Sequence, residues 1–517
     1  MENSNVNVNV NMFEALKGNS LGSPEEPPYD PLPPIEDLPL PSTFRWGTAT
    51  AAYQIEGSPT ADGKGPSIWD TFSHLSPSRT NNENGDIACD HYNRVEEDLD
   101  LMASYGMDVY RFSIAWTRII PLGGRNDPVN AQGIAFYNKL IDGLLARRIE
   151  PIVTLYHWDV PAALYERYGA FLDTAEFVAD FETYARVCFE AFGDRVRKWV
   201  TFNEPYIIAI FGHHSGVLAP GRSTETGGDS STEPWVVGHT LILSHAAVVG
   251  LYIRDYAGAQ KGEISIVLNG HWYEPWDASD PADREAAQRR LEFYIAWFGD
   301  PIFLGKDYPS AMRAQLGDRL PQFTEEELAR LRQLASRHTF YGMNHYSTKF
   351  AKALHEPPPL DDCTGNVEEL STNKTGRAVG PVSGMPWLRV APHGFRKLLG
   401  WIWARYKLPI IVTENGCPDP GESQTPVEQA IEDKFRMTYL GLYLDTISRA
   451  ITEDGVQVEG YYVWSLMDNF EWSAGYGPRY GITHVDFQTL VRTPKRSVWY
   501  LKHTFEERRR GSLTRSH

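Results

Sequence analysis

Cysteine is scarce in this chain, and cysteine at metal-like spacing is missing. Cys89, Cys188, Cys363 and Cys417 are scattered over 517 residues, with no CxxC among them. That argues against a zinc site or a disulfide framework and for reduced thiols inside a cell. Cys417, three residues after Glu414, reads as a packed bystander thiol. The amino terminus, Met1-Glu2-Asn3-Ser4-Asn5-Val6, has no basic start and no apolar segment, so a secretory signal is not expected. No stretch approaches the roughly 20 apolar residues of a membrane span. Positive charge is in deficit: 49 Lys and Arg stand against 67 Asp and Glu, a formal net charge of −18 with a sequence pI near 5.3. Nucleic acids and anionic membrane surfaces both want a basic face, so neither is expected as a partner. A Gly-rich phosphate loop is absent too, because Gly57, Gly63 and Gly65 do not have the dinucleotide-binding spacing. No Ser-His-Asp set and no cage of metal ligands stands out. The His157 and Asp159 pair is a weak exception, with a tryptophan between them. No metal and no cofactor is expected.

What is there is an ordinary globular composition, 42% hydrophobic and 22% charged. Residues 1–41 are polar and become proline-rich over Pro24–Pro41. This predicts a flexible tail that buries too little apolar surface to offset its ordering entropy. From Phe44 onward, short apolar runs alternate with helical periodicity about eight times. The runs at 44–50, 109–114, 152–155, 197–200, 264–268, 340–343, 408–412 and 460–464 read as strands. The intervening segments, such as 134–148, 175–192, 393–406 and 431–453, read as helices. Strand–helix alternation implies a parallel sheet, and eight rounds imply closure. The expected fold is α/β: a single (β/α)8 TIM barrel with long active-site loops, over residues 42–508. Residues 509–517 are a polar carboxy-terminal tail. An open doubly wound sheet is the alternative. The loop 356–384 is long enough to be functional or mobile.

In such barrels chemistry gathers at the carboxyl ends of the strands. Two glutamates occupy that position. Glu204 lies in Thr201-Phe202-Asn203-Glu204-Pro205, after Arg197-Lys198-Trp199-Val200. Glu414 lies in Thr413-Glu414-Asn415-Gly416, after Leu408-Pro409-Ile410-Ile411-Val412. Either one alone reads more readily as a loop cap. Together they match the paired carboxylates of glycoside cleavage. The other strand ends carry Gln54, His157, Trp158, Asn203, Asn344, Tyr346, Trp464, Glu471 and Trp472. Singly, each has a structural explanation; their concentration at one face does not. Fifteen tryptophans also suit the stacking of flat apolar sugar faces.

The motifs Phe44–Gly57, Tyr156–Asp159, Thr201–Pro205, Tyr341–Tyr346, Thr413–Gly416, Trp464–Trp472 and Tyr480–Asp486, in this order, resemble glycoside hydrolase family 1, the β-glucosidase family. The chain looks most like intracellular fungal members, an impression carried by Gly384–Leu388 and Phe470–Gly481. The resemblance implies retaining hydrolysis of terminal β-D-glucosyl residues from β-glucosides and cello-oligosaccharides, a step in cellulose degradation. Glu204 would be the acid/base and Glu414 the nucleophile, about 5–5.5 Å apart. It further implies that Asn203 holds the 2-hydroxyl and that Tyr346 orients Glu414, with Asn344 nearby. Gln54, His157 and Glu471 would hold the far hydroxyls beside Trp472, and Trp158 belongs to the same site. Trp464 would be the stacking floor, and Trp387 would flank the leaving group. Two positions depart from the family pattern: His345 where many members have Tyr, and Tyr480, near the sugar pocket, where many have Phe. Both would bear on sugar preference. Relatives acting on 6-phospho-sugars carry Ser and Lys where this chain has Glu471-Trp472, and a carboxylate facing a phosphate would repel it. Plant thioglucosidases replace the acid/base with Gln, whereas Glu204 is intact. Transglycosylation, broad β-galactosidase or β-fucosidase activity, and a non-catalytic sugar-binding relative are the alternatives. The expected partner is a small β-glycoside, the expected location cytoplasmic, and the oligomeric state open.

Overall fold

Eight strands do close on themselves. The structure is a computed structural model that describes residues 26–514. Its strands are β1 (Arg45–Ala49), β2 (Val109–Ser113), β3 (Glu150–Tyr156), β4 (Lys198–Asn203), β5 (Glu263–Asn269), β6 (Tyr341–Asn344), β7 (Ile410–Asn415) and β8 (Val458–Trp464). Each pairs in parallel with the next, and β8 returns to β1 through Arg45↔Gly460 to Ala49↔Trp464. The strands are buried on both faces, as parallel strands between a filled lumen and a helical layer must be. Val109, Ile152, Val200, Val267, Phe340, Ile411 and Tyr462 form their own apolar cluster, a plug closing the lumen beneath the site. Outside, the helix Thr174–Phe192 is typical. Asp173 caps it by accepting the Glu176 N–H, and Phe177, Phe181, Tyr184, Phe189 and Phe192 make its buried stripe.

The register slips in several places, two of them at the strand ends that carry the glutamates. Pairing slips between Val200 and Asn203 against β5, and between Val412 and Glu414 against β6. A bulge of this kind breaks the two-residue alternation and re-aims the side chains beyond it. Ile411 points into the lumen plug, so strict alternation would send Glu414 to the outer face. The slip returns it inward. Where the sequence suggests a strand ending at Val412, β7 runs on through Asn415.

Four expectations are corrected. Residues 26–41 are not a free tail. The backbone N–H groups of Glu36 and Leu38 donate to the Asp445 carboxylate at 2.6 and 3.0 Å, and Leu40 is buried with its N–H on Arg508 O. Arg508 bridges Asp445 and Asp37, and Glu26 accepts from Arg389. Proline lowers the entropy such a strap loses on docking, so little apolar surface suffices. The part of the expected tail before residue 26 lies outside the described residues. At the other end, the helix Arg496–Thr514 runs past residue 508, and Arg509 pairs with Asp108. The last three residues lie outside the description. Third, a stretch of membrane-spanning length and polarity does exist, the continuous helix Glu233–Gln260. Most of it is buried within the molecule, against the helix Thr174–Phe192 and the aromatic face of Trp297. Finally, the long loop 356–384 contains the strand Val367–Leu370. It completes a three-stranded sheet with Trp272–Pro275 and Thr348–Ala353 at the barrel rim.

Candidate active site

The turn at Glu204 follows from its neighbours. Pro205 begins the helix Pro205–His213, where a missing N–H costs nothing. A proline disfavours right-handed helix at the residue before it. Glu204 adopts the left-handed region instead, with φ 51°, an unusual conformation for glutamate that costs of order 1–3 kcal/mol. Its N–H is held by Val267 O at 2.9 Å. The carboxyl is thereby turned over the lumen, 6% exposed.

The two glutamates meet unequal partners. One Glu414 oxygen accepts from Arg111 Nη1 at 2.6 Å and the other from the Tyr346 hydroxyl at 2.8 Å. Glu204 accepts from Asn344 Nδ2 at 2.6 Å and has no cation bonded to it. Burial raises both carboxyls. For Glu204 the Glu414 charge adds to burial, and its proton is held well above the usual carboxylate range. For Glu414, Arg111 and Tyr346 oppose the rise caused by burial. The two titrate as a pair.

Arg111 belongs to no motif that marks it in the sequence. It projects from the middle of β2, 1% exposed, and its Nη2 donates to Asn203 Oδ1 at 2.7 Å while Nε donates to Thr154. A lone arginine inside an apolar strand needs a buried partner, and that was the available signal. Asn344 also donates to Asn203 Oδ1, at 3.1 Å, and its own Oδ1 accepts from Thr413. With Asn203 Oδ1 occupied, the amide nitrogen faces His157 Nε2 at 3.1 Å. Burial and Arg111 hold His157 well below its ordinary value, so the ring is neutral. Its Nε2 accepts, and its proton therefore sits on Nδ1, which is buried without a protein partner.

The remaining expected residues gather around this centre. Gln54 donates to Asn469 Oδ1 and Phe470 O, both at 2.9 Å, leaving its buried Oε1 free to accept. The His157 ring stacks on Trp464 at 5.9 Å and on Trp472 at 6.0 Å. Trp158 packs against Trp472 at 4.6 Å, and its indole N–H is committed to Asn203 O. Glu471 is pushed up to about 8 by burial and then by Glu414, with the Trp464 indole and Gln54 pulling the other way. Near neutrality it is a carboxylic acid able to donate as well as accept. Tyr480 meets Tyr346 edge-on at 6.0 Å, and Trp387 meets it from the rim at 6.1 Å. The loop carrying Glu471, Trp472 and Tyr480 is anchored from below by buried ions. Asp468 accepts from Lys495 at 2.8 Å and Arg479 at 3.1 Å, while Arg436 holds Glu422 and Asp433.

One expectation fails here. His345 faces out of the lumen, with Nδ1 on Gly270 O and its ring on Phe395 and Tyr443 of the helical layer. It cannot touch a sugar in the site. The rim residue His271, stacked on Tyr294 and 6.0 Å from Trp387, was not anticipated. Among the described residues no group of three His, Cys, Asp or Glu is arranged to hold a metal ion.

The chain as a whole, in sequence and in fold, matches known proteins closely. The family model for glycosyl hydrolase family 1 matches residues 37–509. β-Glucosidase 1B of Phanerodontia chrysosporium is 50% identical over 470 residues, spanning 90% of this chain and 85% of the relative. The structure of a family 1 β-glucosidase from Humicola insolens with glucose is 49% identical, with a TM-score of 0.88 over 91% of this chain and 99% of that one. The β-glucosidase of Trichoderma harzianum is 50% identical, with a TM-score of 0.87 over 92% and 99%. The chain belongs to glycosyl hydrolase family 1.

Proposed function

We propose that the chain hydrolyses terminal, non-reducing β-D-glucosyl residues by retaining double displacement, with Glu414 as nucleophile and Glu204 as general acid/base. The unequal surroundings of the two carboxyls carry this reading. Arg111 and Tyr346 favour the ionised form of Glu414. Glu204, with an amide in place of a cation, keeps its proton. In the first step a Glu414 oxygen bonds to the anomeric carbon, the glycosidic bond breaks, and the leaving oxygen takes the Glu204 proton. Glycosylated Glu414 is no longer an anion, so the charge that raised Glu204 is gone and Glu204 can ionise. It then takes a proton from water as that water attacks the anomeric carbon, and Glu414 departs as a carboxylate.

The Asn203 amide is fixed by Arg111, Asn344 and His157, which suits a rigid contact to the 2-hydroxyl. The free Oε1 of Gln54, the Nδ1–H of His157 and the Glu471 acid suit the far hydroxyls of an uncharged glucoside. Trp464 offers the stacking face and Trp387 the leaving-group side. Neutral β-glucosides, including cello-oligosaccharides, are the substrates this favours, and the place in metabolism is the last step of cellulose breakdown. A cytoplasmic location accords with four unpaired cysteines, three of them buried.

Azide tests the roles. Glu414→Ala and Glu204→Ala should each lose nearly all hydrolysis while staying folded. Azide should then yield the α-glucosyl azide from the first and the β-glucosyl azide from the second. The same anomer from both would refute the assignment.

A further inference from the structure

Two loops that carry proposed sugar contacts each turn, two residues later, into a buried acid. Gln54 is followed by Glu56, and His157 by Asp159. Glu56 is fully engaged: Oε2 accepts from Arg118 Nε and Oε1 from the Tyr137 hydroxyl, both at 2.6 Å. Asp159 is 2% exposed, yet its Oδ1 has no partner among the described residues. Arg118, 1% exposed, spends Nε on Glu56 and Nη2 on Gly57 O, while its Nη1 has no hydrogen-bond partner among the described residues. Both residues line one small cleft between the segments after β1, β2 and β3, together with Tyr53, Lys64, Ser67 and Ala115. The centre of a water molecule has about 10 Å³ to move in there. That is room for one water, and the lining includes one residue with an unspent donor and one with an unspent acceptor.

We propose that this cleft holds a single internal water, accepting from Arg118 Nη1 and donating to Asp159 Oδ1, and that the joint so formed positions Gln54 and His157. The joint ties the loop after β1 to the loop after β3 through an arginine of the loop after β2. The same loops are stitched alongside by Ile68 N–H to Val160 O and Ala162 N–H to Pro66 O, both 2.9 Å. Burial, and then the Glu56 charge, push Asp159 up to about 8. A neutral acid suits a water in the cleft better than a cation. Lys64, the other cation lining it, is already paired with Asp70 at 2.9 Å. Asp159 is a positioning residue: it acts through His157, which it follows by two positions across the left-handed Trp158 (φ 77°).

The positioning role rests on the β-glucoside reading; the water does not. A high-resolution crystal structure of the full chain should show a solvent peak within hydrogen-bond reach of both Asp159 Oδ1 and Arg118 Nη1. Asp159→Ala should raise KM for an aryl β-glucoside by about fivefold with kcat little changed. Asp159→Asn, which keeps a neutral donor and acceptor, should restore the parental KM. An empty cleft, equal impairment of the Asn and Ala variants, or kcat falling with KM unchanged would overturn the proposal. If Asp159→Ala does not fold, the solvent peak and the Asn variant still decide it. If the parent cleaves no β-glucoside, the reading above fails. The cleft is then judged by the peak, and the positioning by D-glucose affinity in calorimetry.

Discussion

Removing one hydroxyl, that of Tyr346, should damage catalysis in a way that identifies which carboxyl it serves. The phenol donates to Glu414 at 2.8 Å, and Arg111 holds the other oxygen at 2.6 Å. Tyr346→Phe deletes the first donor and leaves the guanidinium. A hydrogen bond to a charged group contributes about 1.5–3 kcal/mol. Each 1.4 kcal/mol is tenfold in rate, so kcat/KM should fall roughly ten- to hundredfold. The ring itself should stay in place, because Tyr480 and Trp387 both meet it in T-shaped contacts, at 6.0 and 6.1 Å. The sign of the pH effect follows from the same bond. A donor to the carboxylate favours the ionised form, so its loss raises the Glu414 pKa. The acidic limb of kcat/KM should move to higher pH, and the alkaline limb, set by Glu204, should move less. The assay is kcat/KM for an aryl β-glucoside across pH 4–9, beside the thermal unfolding of both proteins. Unchanged kcat/KM would refute the reasoning outright. A loss without movement of the acidic limb would place the hydroxyl on the sugar instead.

Deleting residues 1–41 should lower the melting temperature by several degrees, because it strips Asp445 of two N–H donors and exposes the Leu40 pocket; an unchanged melting curve would show that the strap contributes nothing. A buried chain runs from the Thr201 hydroxyl to His245 Nδ1 at 2.7 Å, and from His245 Nε2 to His338 Nε2 at 2.9 Å. Burial lowers both imidazoles, His338 to about 4, so below pH 6.5 the unfolded chain binds protons the folded one refuses, and stability should fall from pH 6.5 toward 4. Chemical unfolding over that range should find a shallower pH dependence in His338→Gln; an unaltered slope would clear the pair. Glu471→Gln, which keeps a neutral donor and acceptor, should retain clearly more kcat/KM on β-glucosides than Glu471→Ser, and equal losses would mean that the group works as a carboxylate.

Much of this molecule can be read from its sequence. Barrel closure follows from periodicity, since eight apolar runs of strand length between helical segments leave few other ways to bury both faces. Asn-Glu-Pro and Thr-Glu-Asn-Gly mark the acids because such residues at strand ends make poor core. What escaped reading depends on partners distant in sequence. Arg111 looks like a blemish in a core strand until Glu414, 303 residues away, is beside it. His345 sits between two site residues, and only the observed direction of the strand end sends it outward onto Phe395. Glu471 is acidic in composition, but its burial near Glu414 makes it a neutral acid, and no local pattern encodes that. The strap 26–41 buries Leu40 but docks largely through hydrogen bonds and ion pairs to Asp445, Arg508 and Arg389, a means that hydropathy does not register.

The seam between β1 and β8 has a temporal consequence. Arg45 pairs with Gly460, and Leu40 bonds to Arg508, so one edge of the first strand, its other edge being met by β2, waits for more than 400 residues before its neighbour β8 exists. Made at about 5–20 residues per second, that interval is roughly 20–80 s. Bringing such distant segments together costs little more than joining near ones, since closure entropy grows only with the logarithm of length; a tenfold longer loop adds about 2 kcal/mol. The hazard is the wait itself. Until β8 arrives, β1 offers an unpaired edge to any other nascent chain. The strap and the helix Arg496–Thr514, which meet on Asp445, can lock the seam only once Arg508 has been made.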